Sequence, residues 1–414
     1  MMIGGRVEPG FEAVRARFEQ LAHLMGDGGA AFAATHRGKV VVDLWGGLAR
    51  PDRPWAEDTK VHIQSTSKAV TAYCAMLLVD CGQLDLDALV SRYWPEYGCR
   101  GKEKTTVRQL LGHSAGSTRL PGYTELLDLD GNGFDQYDEI AERLAGAEPD
   151  WEPGTAHGYH GYTYGNLVGE LVRRITGRTA GQYLREEIAG PLGLNTWLGT
   201  PLAEQASLAA IIPWPQAPLP DLPQEVLEAM AGMAAQMKDT PLGDPNAWQF
   251  HAGFKGLLGA PPDVFSQNVQ KLWSTPKALM AEFGAANVTS DARSLARLYT
   301  PLAMSGRLDG AQYLKPDTVA AFSAKAPPGG VDLVISREMG WTIGSHHGSL
   351  TLIPSLPPAF GPNPDGFGMT GGGGNYGFAD PMAEVAGGFV RSHYCSTFGL
   401  SGHLVASLYG CIGQ

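Results

Sequence analysis

The sequence has few cysteines, no block of positive charge and no long apolar run. Five cysteines, Cys74, Cys81, Cys99, Cys395 and Cys411, are spread over 414 residues. Their odd number and irregular spacing argue against a disulfide framework. No C-x-x-C pair is present, so the usual start of a structural zinc site is missing. The net charge is −11 with no Lys/Arg cluster. Phosphate binding needs clustered cations, so nucleic acid is not an expected partner. No stretch approaches the ~18 apolar residues of a membrane span. The opening residues, Met1 to Arg6, lack the apolar segment of a signal peptide. These absences predict a soluble, cytoplasmic protein with no membrane partner. Internal repeats and low-complexity tracts are also missing.

Hydrophobic residues make up 43% and charged residues 18%. That balance supports a sizeable core, and the length suits one large domain or two interleaved ones. The 55 glycines and 29 prolines imply many turns and shaped loops. Apolar spacing predicts a helix over 11–24, then strands over 30–35 and 40–45 joined by an Arg37-Gly38-Lys39 turn. A helix over 65–78 follows, then a loop over 84–94. Helices are expected over 105–111, 138–145, 164–176, 180–188 and 225–237. The Pro-rich stretch 212–223 fits neither helix nor central strand. A helix over 290–304 would be capped by Ser290 or Thr289. Strands are expected over 331–336, 340–345, 367–370 and 385–390, and a closing helix over 403–411. Strands thus lie at both ends and helices between, which predicts an α/β sheet region over 1–80 and 286–414 with an all-α region over 81–285 inserted.

Three motifs could carry chemistry. Ser65-Thr66-Ser67-Lys68 opens a helix, and residues three apart share a helical face. A lysine whose pKa is depressed can deprotonate a serine hydroxyl. The helix N-terminus adds free N–H groups for a developing oxyanion. Alone, this motif also describes a serine cap and a solvated lysine. Tyr164-Gly165-Asn166 follows about a hundred residues on; its phenol could shuttle a proton and its amide could hold Lys68 or substrate. The third motif is F-G-M-T-G-G-G-G-N-Y-G-F-A-D-P at 367–381. Glycines there let a substrate approach the backbone, so Gly371 and Gly372 are candidates for oxyanion contact, with Gly372 as the donor.

S-T-S-K, then Y-G-N, then a Gly-rich strand, in this order, resembles the class C β-lactamase and penicillin-binding-protein superfamily, above all its family VIII carboxylesterases. Supporting stretches are G-Q-L-D-L-D-A-L-V at 82–90, T-V-R-Q-L-L-G-H-S-A-G at 106–116, W-E-P-G-T at 151–155, Y-H-G-Y-T-Y-G-N at 159–166 and G-F-A-D-P at 377–381. The match runs from about 61 to 390 and is poor near 202–285. The resemblance implies a β-lactamase-like fold, an antiparallel sheet flanked by helices. It also implies an acyl-enzyme mechanism with Ser65, Lys68 and Tyr164 as catalytic residues. One position departs from the pattern: Met369 stands where the superfamily usually has Lys or His. An apolar side chain cannot hold a substrate carboxylate, which favours neutral esters.

The expectation is therefore a serine hydrolase acting on small-molecule esters or amides, a carboxylesterase with weak β-lactam hydrolysis as a side activity, needing no cofactor or metal. The alternatives are an acyltransferase or transesterase, a D-amino-acid peptidase or amidase on the same fold, and a catalytically degenerate ligand-binding homologue. Three other patterns compete. Gly112-His113-Ser114-Ala115-Gly116 matches G-x-S-x-G, but a nucleophile elbow needs a strand before it and 106–111 looks helical. Residues 128–139 fit a calcium loop on paper, yet the loop is single and Asp135 sits at an apolar position, so a solvated acidic loop is expected. Met230, Met233 and Met237 form a helix face expected to pack in the core, or to border the cleft with Trp214 and Trp248. The adjacent His346 and His347 point different ways, which disfavours a joint metal site.

Overall fold

The computed structural model describes residues 3–22, 28–213, 257, 262–335, 338–348, 357–394 and 400–413. The chain opens with β1 (Ile3–Val7), α1 (Glu12–Ala22), β2 (Gly29–His36) and β3 (Lys39–Arg50). Arg37 and Gly38 join β2 to β3 with φ of 52° and 73°. Two successive left-handed residues make the turn whose twist matches that of a hairpin. Small residues fill β2, and its alternation divides the interior. Phe32 and Ala34 face a core shared with Val14 and Phe18, and Ala31 and Ala33 face a second, larger one. Each large apolar side chain fully buried this way contributes roughly 1.5–3 kcal/mol.

The helices that follow include α2 (Ser67–Asp80), α3 (Val107–Leu111), α4 (Tyr137–Gly146), α5 (Thr163–Thr176) and α6 (Ala292–Ala303). Four strands follow: β4 (His346–His347), β5 (Phe367–Thr370), β6 (Tyr376–Asp380) and β7 (Val385–Arg391). α7 (Leu400–Cys411) closes the chain. The main sheet runs β1-β3-β2-β7-β6-β5-β4, with each of these pairs antiparallel. The N-terminal hairpin thus pairs with C-terminal strands through β2 and β7. α1 and α7 cover one face, and α6 lies on the other.

Glycine permits the close approach of α6. A Cβ on Gly377 would come within 2.4 Å of the Tyr299 ring, and one on Gly388 within 2.6 Å of the Ala292 carbonyl oxygen. α6 is capped by Asp291, whose carboxylate accepts the Ser294 N–H at 2.7 Å, rather than by Ser290 or Thr289.

Two expected strands do not form. Residues 331–335 are mostly turn and 340–345 are loop, held by single bridges Val331 to Glu338 and Trp341 to His346. The reason is local: Asp332 Oδ1 accepts the N–H groups of Val334 and Ile335 at 2.9 and 2.7 Å. Side-chain-to-backbone bonds replace the ladder there. The helix expected over 180–188 is α-helical from Ala180 to Tyr183 and continues as a π-helical turn, Leu184–Ala189. Ile212–Pro213 pairs in parallel with His393–Tyr394. Residues 214–223 and 225–237, with Met230, Met233, Met237, Trp214 and Trp248, lie outside the described residues, as does Cys395.

Candidate active site

A short strand, Val61–His62, leads into a 3₁₀ turn, Gln64–Thr66, and then into α2. Gln64 has φ of 52° and is buried. A non-glycine residue in that region is strained and persists only where its surroundings hold it. Here the Gly-rich turn after β5 presses on it. A Cβ on Gly371 would lie 2.3 Å from the Ile63 carbonyl oxygen, 2.9 Å from Thr66 Oγ1 and 3.1 Å from Gln64 Cβ. Thr66 Oγ1 sits 3.3 and 3.2 Å from the Met369 and Asn375 carbonyl oxygens. The Ser65 segment and the third motif are therefore one packed unit.

Ser65 is partly exposed at the head of this unit. Lys68, one turn on, is 0% exposed. Its Nζ donates to Ser65 Oγ at 3.3 Å and to the Ala285 carbonyl at 2.8 Å. The same Nζ lies 4.7 Å from the centre of the Tyr159 ring. Among the described residues no carboxylate pairs with Lys68. An ammonium buried without a counter-charge is disfavoured, and burial holds the Lys68 pKa well below 10.5. Neutral amine is thus available to take a proton.

Tyr164 does not meet Ser65. Its hydroxyl donates to the Leu111 carbonyl at 3.1 Å, its ring packs 4.7 Å from His113, and it is fully buried. The expected role for this phenol is corrected. Tyr164 belongs with Leu167, Val168 and Leu171 to the buried stripe of α5, a spacing of i, i+3, i+4 and i+7 that already marks a core residue. The phenol that meets Ser65 is Tyr159, in the loop before α5. Burial raises the Tyr159 pKa, and its hydrogen-bonding interaction with the Ser65 hydroxyl opposes that rise. Trp341 stacks on the Tyr159 ring at 5.3 Å and 3° between planes. The signal for Tyr159 was its position as the first tyrosine after W-E-P-G-T, ahead of the helical stripe.

Asn166 also turns away. It lines a separate, small cleft of about 30 Å³ with Tyr137, Glu170, Arg173 and Glu282. Met369 is 1% exposed and belongs to the large core. Next to it, Thr370 Oγ1 lies 3.4 Å from His346 Nε2. The Gly371 N–H donates to the Asn375 carbonyl at 2.7 Å, so it is committed to the turn. Among the described residues no acceptor takes the Gly372 N–H. A Cβ on Gly372 would meet the Tyr394 ring at 2.8 Å.

The competing patterns resolve locally. Ser114 follows a helix, not a strand. It is buried, and its Oγ donates to the Gln109 carbonyl at 3.3 Å. In the acidic loop, Asp128 Oδ1 accepts the N–H groups of Asp130 and Asn132 at 2.9 and 3.0 Å. Lys271 pairs with Asp130 at 3.0 Å and Lys277 donates to Asn132 Oδ1 at 2.6 Å. Two lysines thus supply the positive charge in this loop. His346 is buried and packs 4.5 Å from Trp341, whereas His347 is only partly buried. Among the described residues no group of three or more His, Cys, Asp or Glu side chains is arranged to hold a metal. Nor is any described helix long and apolar enough to cross a membrane. Cys74, Cys81, Cys99 and Cys411 are free thiols.

Comparison with known proteins gives the family. Residues 15–392 match the Beta-lactamase family. The esterase/beta-lactamase LipL of Mycobacterium tuberculosis is 31% identical over 406 residues, covering 96% of this chain and 85% of the relative. Among solved structures, a family VIII carboxylesterase is 30% identical with a TM-score of 0.80, covering 99% of this chain and 100% of that one. A penicillin-binding-protein homologue from Caulobacter crescentus is 32% identical with a TM-score of 0.78 at the same coverage. The family match, the fold and the relatives place the chain: it belongs to the Beta-lactamase family, has its fold, and is a serine hydrolase.

Proposed function

We propose that this serine hydrolase is a carboxylesterase that cleaves neutral esters through an acyl-enzyme on Ser65. The observation that carries the reading is the 3.3 Å approach of Lys68 Nζ to Ser65 Oγ where burial keeps the amine pKa low. As Ser65 Oγ attacks the ester carbonyl carbon, neutral Lys68 accepts its proton. The amides of Ser65 and Gly372 donate to the oxyanion. Collapse breaks the bond to the alcohol oxygen, which takes a proton from the Tyr159 phenol while Lys68 returns one to Tyr159. Water then attacks the acyl-enzyme, using the same groups in reverse.

The preference for neutral esters follows the sequence pattern, in which Met369 takes the place of a Lys or His; its side chain is buried in the core and supplies no cation for a carboxylate. The names of the relatives, an esterase/beta-lactamase and a carboxylesterase, support ester hydrolysis and make β-lactams a second substrate class to test. The test is a panel of short esters, long esters, nitrocefin and D-amino amides, run with wild type and Ser65→Ala. Ester turnover in the variant falls by several powers of ten. Unchanged hydrolysis of p-nitrophenyl esters by Ser65→Ala refutes the assignment.

A further inference from the structure

Asp332 is 0% exposed and lies in the loop that the sequence pattern reads as a strand. A buried carboxylate is costly unless its oxygens are satisfied. Asp332 is satisfied by four donors. Oδ1 accepts the N–H groups of Tyr159, Val334 and Ile335 at 3.2, 2.9 and 2.7 Å. Oδ2 accepts the Trp341 indole N–H at 2.9 Å. Two of these partners, Tyr159 and Trp341, are the two rings stacked within 3° of parallel. The Leu333 N–H adds a backbone link to the His157 carbonyl at 3.0 Å.

We propose that Asp332 is a positioning residue, which fixes the Tyr159 phenol against Ser65 and Lys68 by holding both the backbone of Tyr159 and the indole stacked on its ring. This rests on the reading in which Tyr159 carries the leaving-group proton. A loop residue before a helix has no ladder of its own to fix it, so its reach must come from such contacts. The groups around the Tyr159 side chain are Ser65, Lys68, His113 and Trp341, with Tyr162, Tyr394 and Asp332 near enough to act on it by charge. Of these, Asp332 acts through its four hydrogen bonds and through its charge, which also raises the phenol pKa.

Proton delivery matters most when the leaving alcohol is a poor leaving group. Alkyl esters therefore report on Tyr159 placement more sharply than p-nitrophenyl esters. Asp332→Asn keeps an oxygen for the backbone donors but turns an NH₂ toward the Trp341 N–H, setting two donors face to face. The expected result is a kcat loss of roughly 10–100-fold on alkyl esters and less than about 3-fold on p-nitrophenyl esters, with KM nearly unchanged. Adding Trp341→Phe removes one of the opposed donors and keeps a ring in the stack, so the double variant regains part of its alkyl-ester rate.

A loss equal for both ester types, tracking a lowered melting temperature, overturns the proposal. Should Asp332→Asn fail to fold, Trp341→Phe alone decides: a leaving-group-selective loss supports the role, and a uniform one overturns it. Tyr159→Phe separates the two claims. If it retains alkyl-ester turnover, the function reading fails. If it is inactive while Asp332→Asn shows no selective loss, only the positioning role fails.

Discussion

Two tyrosines five residues apart should respond to the same substitution in opposite ways. Tyr159→Phe deletes the hydroxyl that interacts with Ser65. Loss of a general acid typically costs ~10²–10⁴ in rate, or about 2.7–5.5 kcal/mol of transition-state stabilisation. The ring survives, so the Trp341 stack and the fold should persist. Tyr164→Phe deletes a different hydroxyl, the one bonded to the Leu111 carbonyl. That carbonyl keeps a second donor, the Gly344 N–H at 3.3 Å. The loss should therefore sit near the low end for a buried hydrogen bond, ~1 kcal/mol, or about 1–2 °C in melting temperature for a chain of this size. Initial rates on an ethyl ester and on a p-nitrophenyl ester, with thermal melts, read both effects. An inactive Tyr164→Phe beside an active Tyr159→Phe would refute the assignment of the phenol.

Two further results are expected. Lys68 must be neutral to accept a proton, and its pKa is depressed, so kcat/KM should rise with pH and level off well below 10.5; Lys68→Arg, which stays charged, should lose ~10²–10⁴ in rate, and a rate still climbing beyond pH 10 contradicts this. Gly372→Ala would set a methyl within 2.8 Å of the Tyr394 ring and disturb the amide assigned to the oxyanion, with an expected kcat loss of roughly 10²-fold; full activity in this variant removes Gly372 from the site.

How far the sequence could be read depended on whether helical geometry fixed the answer. The approach of Lys68 to Ser65 was legible because three-residue spacing on a helix leaves little freedom. The β2–β3 hairpin was legible because Arg37-Gly38 suits its turn. Tyr159 was missed because loop residues have no periodicity to aim them, and Tyr164 resembled the motif more closely. The stripe of Tyr164, Leu167, Val168 and Leu171 did, however, mark Tyr164 as core. Asn166 went astray with it: it shares the far face of α5 with Glu170 and lines the cleft there. Gly371 and Gly372 were both candidates for oxyanion contact, with Gly372 as the donor, and the turn bond from Gly371 to Asn375 gives a physical reason to separate them. Asp332 was hidden in a stretch rich in β-branched residues, since side-chain capture of backbone donors leaves no pattern in hydropathy.

The nucleophile itself can be tested by trapping. A fluorophosphonate added to the folded enzyme, followed by peptide mass analysis, should add one label per chain, on Ser65, and none to Ser65→Ala. A label on Ser114 or another side chain, or labelling that persists in Ser65→Ala, would contradict a reactive hydroxyl at position 65.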